Sequence, residues 1–393
     1  MLICILGRQP ELGIAELESV VGSDRVKPIG SSAALVDAPT TLNQNHLGGT
    51  VKIAELIKSV DSTETNKVLS FVRDAAIERM SANGPQKQTF GISAYGMQVS
   101  ARRISDLSFS IKKSLKARSV PVRAEISTST ALNSAQVLHK GLTEKYGNEF
   151  IIVSDRRTSY IARTISVQDI DSYSKRDYGR PRRDTRAGML PPKLAQIMLN
   201  LSKSERGLTV LDPFCGTGTV LIEAALMGTD VEGSDINMSM AEYSEENLKW
   251  IEKEYGIKAK RSITCADATT QNWKHFDRVV TETHLGPQLP RDPSNDLMHK
   301  IVGDCNSLVM RFLVNLRPQL DIGARCCIAV PAWPLKNEII RLPIIKRLES
   351  MGYSVVKFRH SRKESLIYMR PDQSVARELL VLVPKKMLHG RVQ

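Results

Sequence analysis

Residues 210–219 read Val-Leu-Asp-Pro-Phe-Cys-Gly-Thr-Gly-Thr, and Leu221-Ile222-Glu223-Ala224-Ala225 follows in a run of good helix formers. The apolar stretch Leu208–Leu211 predicts a buried strand. It closes on an acid, turns through Gly216 and Gly218, and opens a helix. A strand, a glycine turn and a helix start bring a carboxylate and unpaired backbone N–H groups to the C-terminal edge of a sheet, where open α/β sheets bind ligands. The absence of a Cβ at Gly216 and Gly218 permits close approach of a ligand to the backbone. Leu221 stands where a dinucleotide fingerprint has its third glycine, and no Gly-Lys-Ser/Thr follows as in a P-loop.

Three further strand-like runs each end near an acid: Val231–Asp235, Ile263–Asp267 and Phe276–Glu282. Helix-like stretches separate them, Met238–Tyr255 being the clearest. Alternating strands and helices imply a parallel sheet with every strand's C-terminal end on one edge, so Asp212, Asp235, Asp267 and Glu282 are expected along one crevice. An acid some twenty residues after the glycine turn suits a ribose diol, and Asp267 suits an adenine amino group.

Asp212-Pro-Phe-Cys-Gly-Thr-Gly-Thr219 with its following helix resembles motif I of S-adenosylmethionine-dependent methyltransferases. In particular it is similar to the THUMP-associated RNA methylases, typified by tRNA guanine-10 N2-methyltransferases. The resemblance implies a Rossmann-like seven-stranded class I methyltransferase domain, an α/β fold, preceded by an α+β ferredoxin-like and THUMP half. Its implied donor site comprises Asp212, Phe214, Gly216, Thr217 and Gly218, then Asp235 and Ile236 at ribose and adenine, and Asp267 with Ala268 at the adenine amino group. The family sheet ends in an antiparallel pair, for which Tyr353–Phe358 and Leu379–Pro384 are suited, joined through Glu364–Met369.

The family's acceptor motif, Asp/Asn-Pro-Pro-Tyr/Phe, is altered here. An exocyclic amine is a poor nucleophile because its lone pair is delocalised into the base. An acidic or amide side chain and a proline carbonyl accept its N–H bonds and aim the lone pair at the methyl group, so that catalysis is positioning and electrostatics. An aromatic residue stacks the extruded base. The corresponding stretch reads Glu282-Thr-His-Leu-Gly-Pro287. Glu282 keeps an acidic acceptor, both prolines are lost, and Leu285 replaces the aromatic. His284 is a candidate general base. Three readings stay open: base-amine methylation in a rearranged pocket, a different acceptor such as DNA or a small molecule, or a catalytically silent protein that binds cofactor and RNA.

The six cysteines (4, 215, 265, 305, 326 and 327) form no Cys-x-x-Cys and accompany no histidine pair at metal spacing, so no metal is expected. Unpaired thiols fit a reducing cytosol, and Cys326-Cys327 reads as buried core. The longest apolar run, Leu2–Leu6, is too short for a signal peptide or a membrane span. The expected organisation is a ferredoxin-like part (1–60), a THUMP-like RNA-binding domain (61–168), a basic linker (169–190) and the methyltransferase domain (191–393). The Gly-, Pro- and charge-rich residues 174–193 read as linker, leading into a helix that starts at Pro192.

The net charge of +13 is unevenly spread. Residues 101–200 carry 19 Lys and Arg against 9 Asp and Glu, whereas residues 201–250 carry 3 against 9. A localised basic excess is the footprint of phosphate binding. Arg102, Arg103, Lys112, Lys113 and Lys116 form one candidate RNA-backbone cluster; Arg176, Arg180, Arg182, Arg183 and Arg186 form another. The expected partner is RNA, in particular tRNA.

Overall fold

The computed structural model describes residues 1–38, 42–184, 189–290, 293–335, 338–370 and 373–385. The chain divides into two compact units, Met1–Ser172 and Tyr173–Gln393.

The first unit contains β1 (Leu2–Leu6), α1 (Pro10–Val21), β2 (Val26–Ile29), β3 (Ala33–Val36), β4 (Thr50–Val60), α2 (Thr65–Ala82), β5 (Gln88–Tyr95), α3 (Ala101–Ala117), β6 (Val122–Glu125), α4 (Ser134–His139), β7 (Gly147–Ser154) and β8 (Ser159–Val167). These strands form one sheet in the order β2-β3-β1-β4-β8-β7-β5-β6. The expected boundary at residue 60 falls at the end of β4, which pairs with β1 on one side and β8 on the other. The two N-terminal parts therefore share a sheet. α3 begins where the Ser100 hydroxyl accepts the Arg103 N–H, a side-chain cap that satisfies one of the helix's orphan donors. Its apolar residues Ile104, Leu107, Ile111 and Leu115 recur at helical spacing and pack with Val72, Phe90 and Phe150.

Four strands meet at one buried ion pair. Lys52 of β4 and Glu149 of β7 are 1% and 0% exposed, and the lysine donates to the carboxylate. Ser93 of β5 donates to Glu149 at 2.5 Å and Thr164 of β8 at 2.6 Å, while Lys52 also donates to the Leu132 carbonyl at 2.8 Å. Burial pushes the lysine's proton affinity down and Glu149 opposes this.

The second unit contains α5 (Ile170–Tyr178, which begins just before the division), α6 (Pro192–Leu201), β9 (Thr209–Asp212), α7 (Thr219–Leu226), β10 (Asp230–Asp235), α8 (Met238–Tyr255), β11 (Arg261–Cys265), β12 (Arg278–Glu282), α9 (Asn295–Leu316), β13 (Arg325–Leu335), β14 (Glu338–Arg341), β15 (Tyr353–Val355), β16 (Ile367–Tyr368) and β17 (Ala376–Pro384). The main path runs β11-β10-β9-β12-β13-β17-β15. Its first five strands are parallel; β17 lies antiparallel between β13 and β15. This is the expected Rossmann-like seven-stranded arrangement, with β14 and β16 added as short antiparallel partners of β13 and β17. The chain leaves β9 for β10 on one side and reaches β12 on the other, so a topological switch point opens beside Asp212. α9 packs Ile301, Val309, Phe312 and Leu316 onto Val279, Cys326, Ile328 and Trp333. Cys326 and Cys327 are fully buried, as expected.

Two expectations change. The penultimate strand stops at Val355 rather than Phe358. The stretch read as linker starts as helix α5, because Tyr173 and Arg176 are buried, one hydrogen-bonded to Gln196 and the other to Glu223. Packing overrides the loop-like composition there.

Lys52→Met strips a buried carboxylate of its counter-ion. It is expected to destabilise the protein by about 3–5 kcal/mol in denaturant unfolding, with much of the loss recovered in Lys52→Met/Glu149→Met.

Candidate functional site

A cavity of about 440 Å³ opens at the C-terminal ends of β9, β10 and β12. All four acids expected along one crevice line it: Asp212, Asp235, Asp267 and Glu282. Phe214, Gly216, Thr217, Ile236 and Ala268 line it as well. Gly218, the remaining donor-site candidate, instead forms the N-cap of α7 at φ 80°. Gly216 adopts φ 51°, and a Cβ built there meets nothing within 4 Å. Open space above a left-handed glycine is the surface that a ligand can approach along the backbone. Ile236, 72% exposed, offers an apolar face at the same opening.

Each acid has its own environment. Asp212 is buried, accepts the Thr281 hydroxyl at 2.6 Å and the Phe214 N–H at 3.2 Å, and is pushed up to about 7. Burial is the main cause, and the neighbouring charges of Asp235 and Glu282 add to it. Asp235 accepts the Gly216 N–H at 3.0 Å and the Asn237 N–H at 2.9 Å, fastening the end of β10 to the glycine turn. Asp267 lies two residues beyond β11 and accepts the Thr269 N–H and hydroxyl, both at 2.8 Å, which hold it below its ordinary range.

Glu282 is the last residue of β12 and contacts Arg377 of β17 at 2.5 Å. Burial raises the Glu282 carboxyl and Arg377 opposes that rise. The strand continues its pairing one residue further, since the Thr283 N–H donates to the Ala329 carbonyl at 3.0 Å. His284 is exposed and stands between this cavity and a second one of about 350 Å³ against α9. Gly286, at φ 84°, lies against Ile301 and Cys305 of α9, where a Cβ would come within 3.1 Å of the isoleucine. Close packing on α9 thus shapes a loop that carries no Pro-Pro pair.

The second basic cluster is largely absorbed into this unit. Arg176 and Arg180 are 6% and 3% exposed. Arg176 donates to the buried Glu223 of α7 at 2.6 Å; Arg180 donates to the Thr219 hydroxyl, at the start of α7, at 2.7 Å. These two candidates for RNA contact therefore brace the cavity wall rather than face a polyanion. Arg182 is exposed but paired with Glu246 at 2.6 Å, and Arg183 is exposed over the Tyr178 ring. Arg186 lies outside the described residues. Asn247 of α8 accepts the Arg182 N–H and donates to the carbonyls of Arg182 and Thr217, and Ser244 donates to the Gly216 carbonyl at 2.8 Å. In the first unit Arg102, Arg103, Lys112, Lys113 and Lys116 are all exposed on α3.

Sequence reasoning missed Arg377, which lies 95 residues from Glu282. It also missed Thr281, Asp184, Met189 and Leu308, which carry no motif of their own. Among the described residues, no group of three His, Cys, Asp or Glu side chains is placed to hold a metal ion, and no helix is long and apolar enough to cross a membrane.

Residues 180–312 match the family described as RMKL-like, methyltransferase domain. The chain is 36% identical over 145 residues to the tRNA (guanine(10)-N2)-dimethyltransferase of Methanothermobacter thermautotrophicus, covering 37% of this chain and 39% of that one. It is 39% identical over 145 residues to the enzyme of the same name from Methanocaldococcus jannaschii, covering 34% and 39%. The chain thus spans about two fifths of the length of these curated relatives. Among solved structures it is similar to TrmN from Thermus thermophilus, with a TM-score of 0.55, 16% identity, and coverage of 98% of this chain and 99% of that one. At that identity the likeness bears on the fold alone.

Arg176→Met is expected to act on folding. It leaves Glu223 buried without its guanidinium and lowers stability by about 3–5 kcal/mol, read by calorimetric unfolding.

Proposed function

We propose that this chain is an S-adenosylmethionine-dependent RNA methyltransferase acting in the cytosol on the N2 amine of a guanine in tRNA. The convergence of four strand-end carboxylates and an open left-handed glycine on one cavity carries this reading. The match to a methyltransferase domain and the names of the relatives support it.

The residues suit the cofactor. Asp212 beside the glycine turn accepts from an ammonium group, Asp235 from a ribose diol, and Asp267 from an adenine amino group. Phe214, Thr217 and Ala268 complete the walls, and Ile236 gives an apolar face for the adenine ring. Bound there, S-adenosylmethionine supplies a methyl group on an electrophilic sulfonium.

On the acceptor side Glu282 takes an N–H bond of the amine and localises the nitrogen lone pair toward the cavity. The carbonyls of Thr283 and His284 stand in for those of the missing prolines. Preorganised acceptors of this kind act without reorganising during the reaction. The reaction is a direct displacement with no covalent enzyme intermediate, and His284 borders the acceptor. The exposed basic face of α3, in a THUMP-like half, contacts RNA backbone; such contacts position RNA without choosing the base.

Mass spectrometry of nucleosides from unmodified tRNA, incubated with the protein and methyl-labelled cofactor, is expected to show labelled N2-methylguanosine that disappears with Glu282→Ala. Measurable tRNA binding with no label incorporated would instead identify a silent protein, and label in another nucleoside would move the acceptor.

Reversing Lys112, Lys113 and Lys116 to Glu is expected to weaken tRNA binding and reduce its salt slope by about one for each phosphate that is no longer neutralised. An unchanged slope removes α3 from the interface.

The pH dependence follows from Asp212. Its carboxyl titrates near 7, and a ligand ammonium favours the ionised form. Binding of S-adenosylhomocysteine therefore releases a proton below about pH 7 and tightens as pH rises through that value, then levels off. Calorimetry in two buffers of different ionisation enthalpy measures the release, and Asp212→Asn is expected to abolish it.

A further inference from the structure

Glu282 and Arg377 meet across an intervening strand. Glu282 stands in register with Ala329 of β13, and Arg377 of β17 with Pro331 of the same strand. The guanidinium is 3% exposed and contacts Glu282 Oε1 at 2.5 Å through Nε, while Nη1 donates to Gln373 Oε1 at 3.2 Å. Two nitrogens of the Arg377 guanidinium, Nε and Nη1, thus engage different partners. Glu282 itself lines the donor cavity. A carboxylate with one oxygen tied to a buried cation has a fixed orientation and an acceptor oxygen left over.

We propose that Arg377 is a positioning residue for methyl transfer, holding Glu282 ionised and oriented so that its second oxygen receives the N–H of the acceptor amine. This inference rests on the methyltransferase reading of the cavity. It accounts for how an acceptor loop without a Pro-Pro pair keeps a rigid acceptor: the strand pairing β13–β17 supplies, through an ion pair, the rigidity that two proline rings would give. The charged and titratable groups around Glu282 are Arg377 from β17, Asp212 from β9, and Asp184, Asp235, Asp267 and His284, which line the same cavity. Arg377 is the cation that contacts it. Burial raises the Glu282 carboxyl above its ordinary range, and Arg377 offsets part of that rise. Loss of Arg377 therefore leaves a carboxyl that protonates at higher pH, and a protonated carboxyl offers the amine a donor in place of one acceptor lone pair.

The test compares wild type with Arg377→Met, Arg377→Lys and Glu282→Gln. Carbon-13 NMR of labelled glutamate side chains, with Glu282 assigned by its loss in Glu282→Gln, reads the titration without turnover. Glu282 is expected to titrate about one pH unit or more higher in Arg377→Met. With methyl-labelled cofactor and tRNA, kcat is expected to fall about a hundredfold with little change in the KM for cofactor. The acid limb of the kcat profile should move to higher pH, and Arg377→Lys should restore part of the loss. Retained calorimetric binding of S-adenosylhomocysteine shows that the donor side has folded. If Arg377→Met does not fold, Arg377→Lys and the charge-neutral Glu282→Gln/Arg377→Met carry the comparison, the double variant being expected to fold and stay inactive. An unmoved Glu282 titration, or a variant with wild-type kcat and acid limb beside an active wild type, overturns the role of Arg377. A wild-type protein that methylates no RNA overturns the reading of the cavity and this role with it.

Discussion

Like charges gathered on one sheet edge repel, and the methyltransferase fold is organised around answering that repulsion. Parallel topology sends the ends of β9, β10 and β12 to the same side, and each ends in an acid; Asp267 follows just beyond β11. Each acid receives a different answer. Asp212 is allowed to hold a proton near neutrality and is hydrogen-bonded to Thr281. Asp235 accepts two backbone N–H groups, one of them from the glycine turn. Asp267 takes both donors of a threonine. Glu282 alone is given a buried full positive charge. Asp212, Asp235 and Asp267 are thus held by neutral hydrogen-bond donors, while Glu282 contacts a buried cation.

Charge counted along the chain and charge presented to a partner are different quantities here. Residues 174–183 look like a basic tether, yet two of their arginines close the structure from within. Arg176 neutralises the one glutamate of α7 that is fully buried, and Arg180 holds the first turn of the same helix. α8 then clamps this segment and the glycine turn together through Asn247. The cavity wall is therefore built partly by residues that precede the first strand of its sheet. The exposed cations of α3 make the opposite case, since nothing in their helix consumes them.

The donor side was legible because its chemistry is local. The glycine turn lies within ten residues of Asp212, and the acid spacing follows from alternating strands and helices, so one pass along the chain locates it. The helix at Met238–Tyr255 and the core position of Cys326-Cys327 followed from periodicity and apolar runs. What stayed hidden depends on distant pairing. β4 and β8 are long strands whose inward polar residues, Lys52 and Thr164, break the apolar pattern because they serve a buried ion pair. Helix α5 reads as a loop because its stability comes from partners on α6 and α7. Arg377 stands in an ordinary strand, and only the register of β12, β13 and β17 brings it to Glu282.

That register also joins stretches of chain that are made at different times. The strands that build the donor cavity are complete by Glu282, whereas the strand bearing Arg377 is the last one described and must insert between β13 and β15. As the chain leaves the ribosome, the strands that line the cavity emerge well before the cation that contacts Glu282. A nascent chain halted before β17 would lack the strand that pairs along β13 and the buried counter-charge of Glu282. Pairing of β17 with β13 both covers that edge and brings Arg377 to Glu282, so one strand joins the closure of the sheet to the charge balance of its edge.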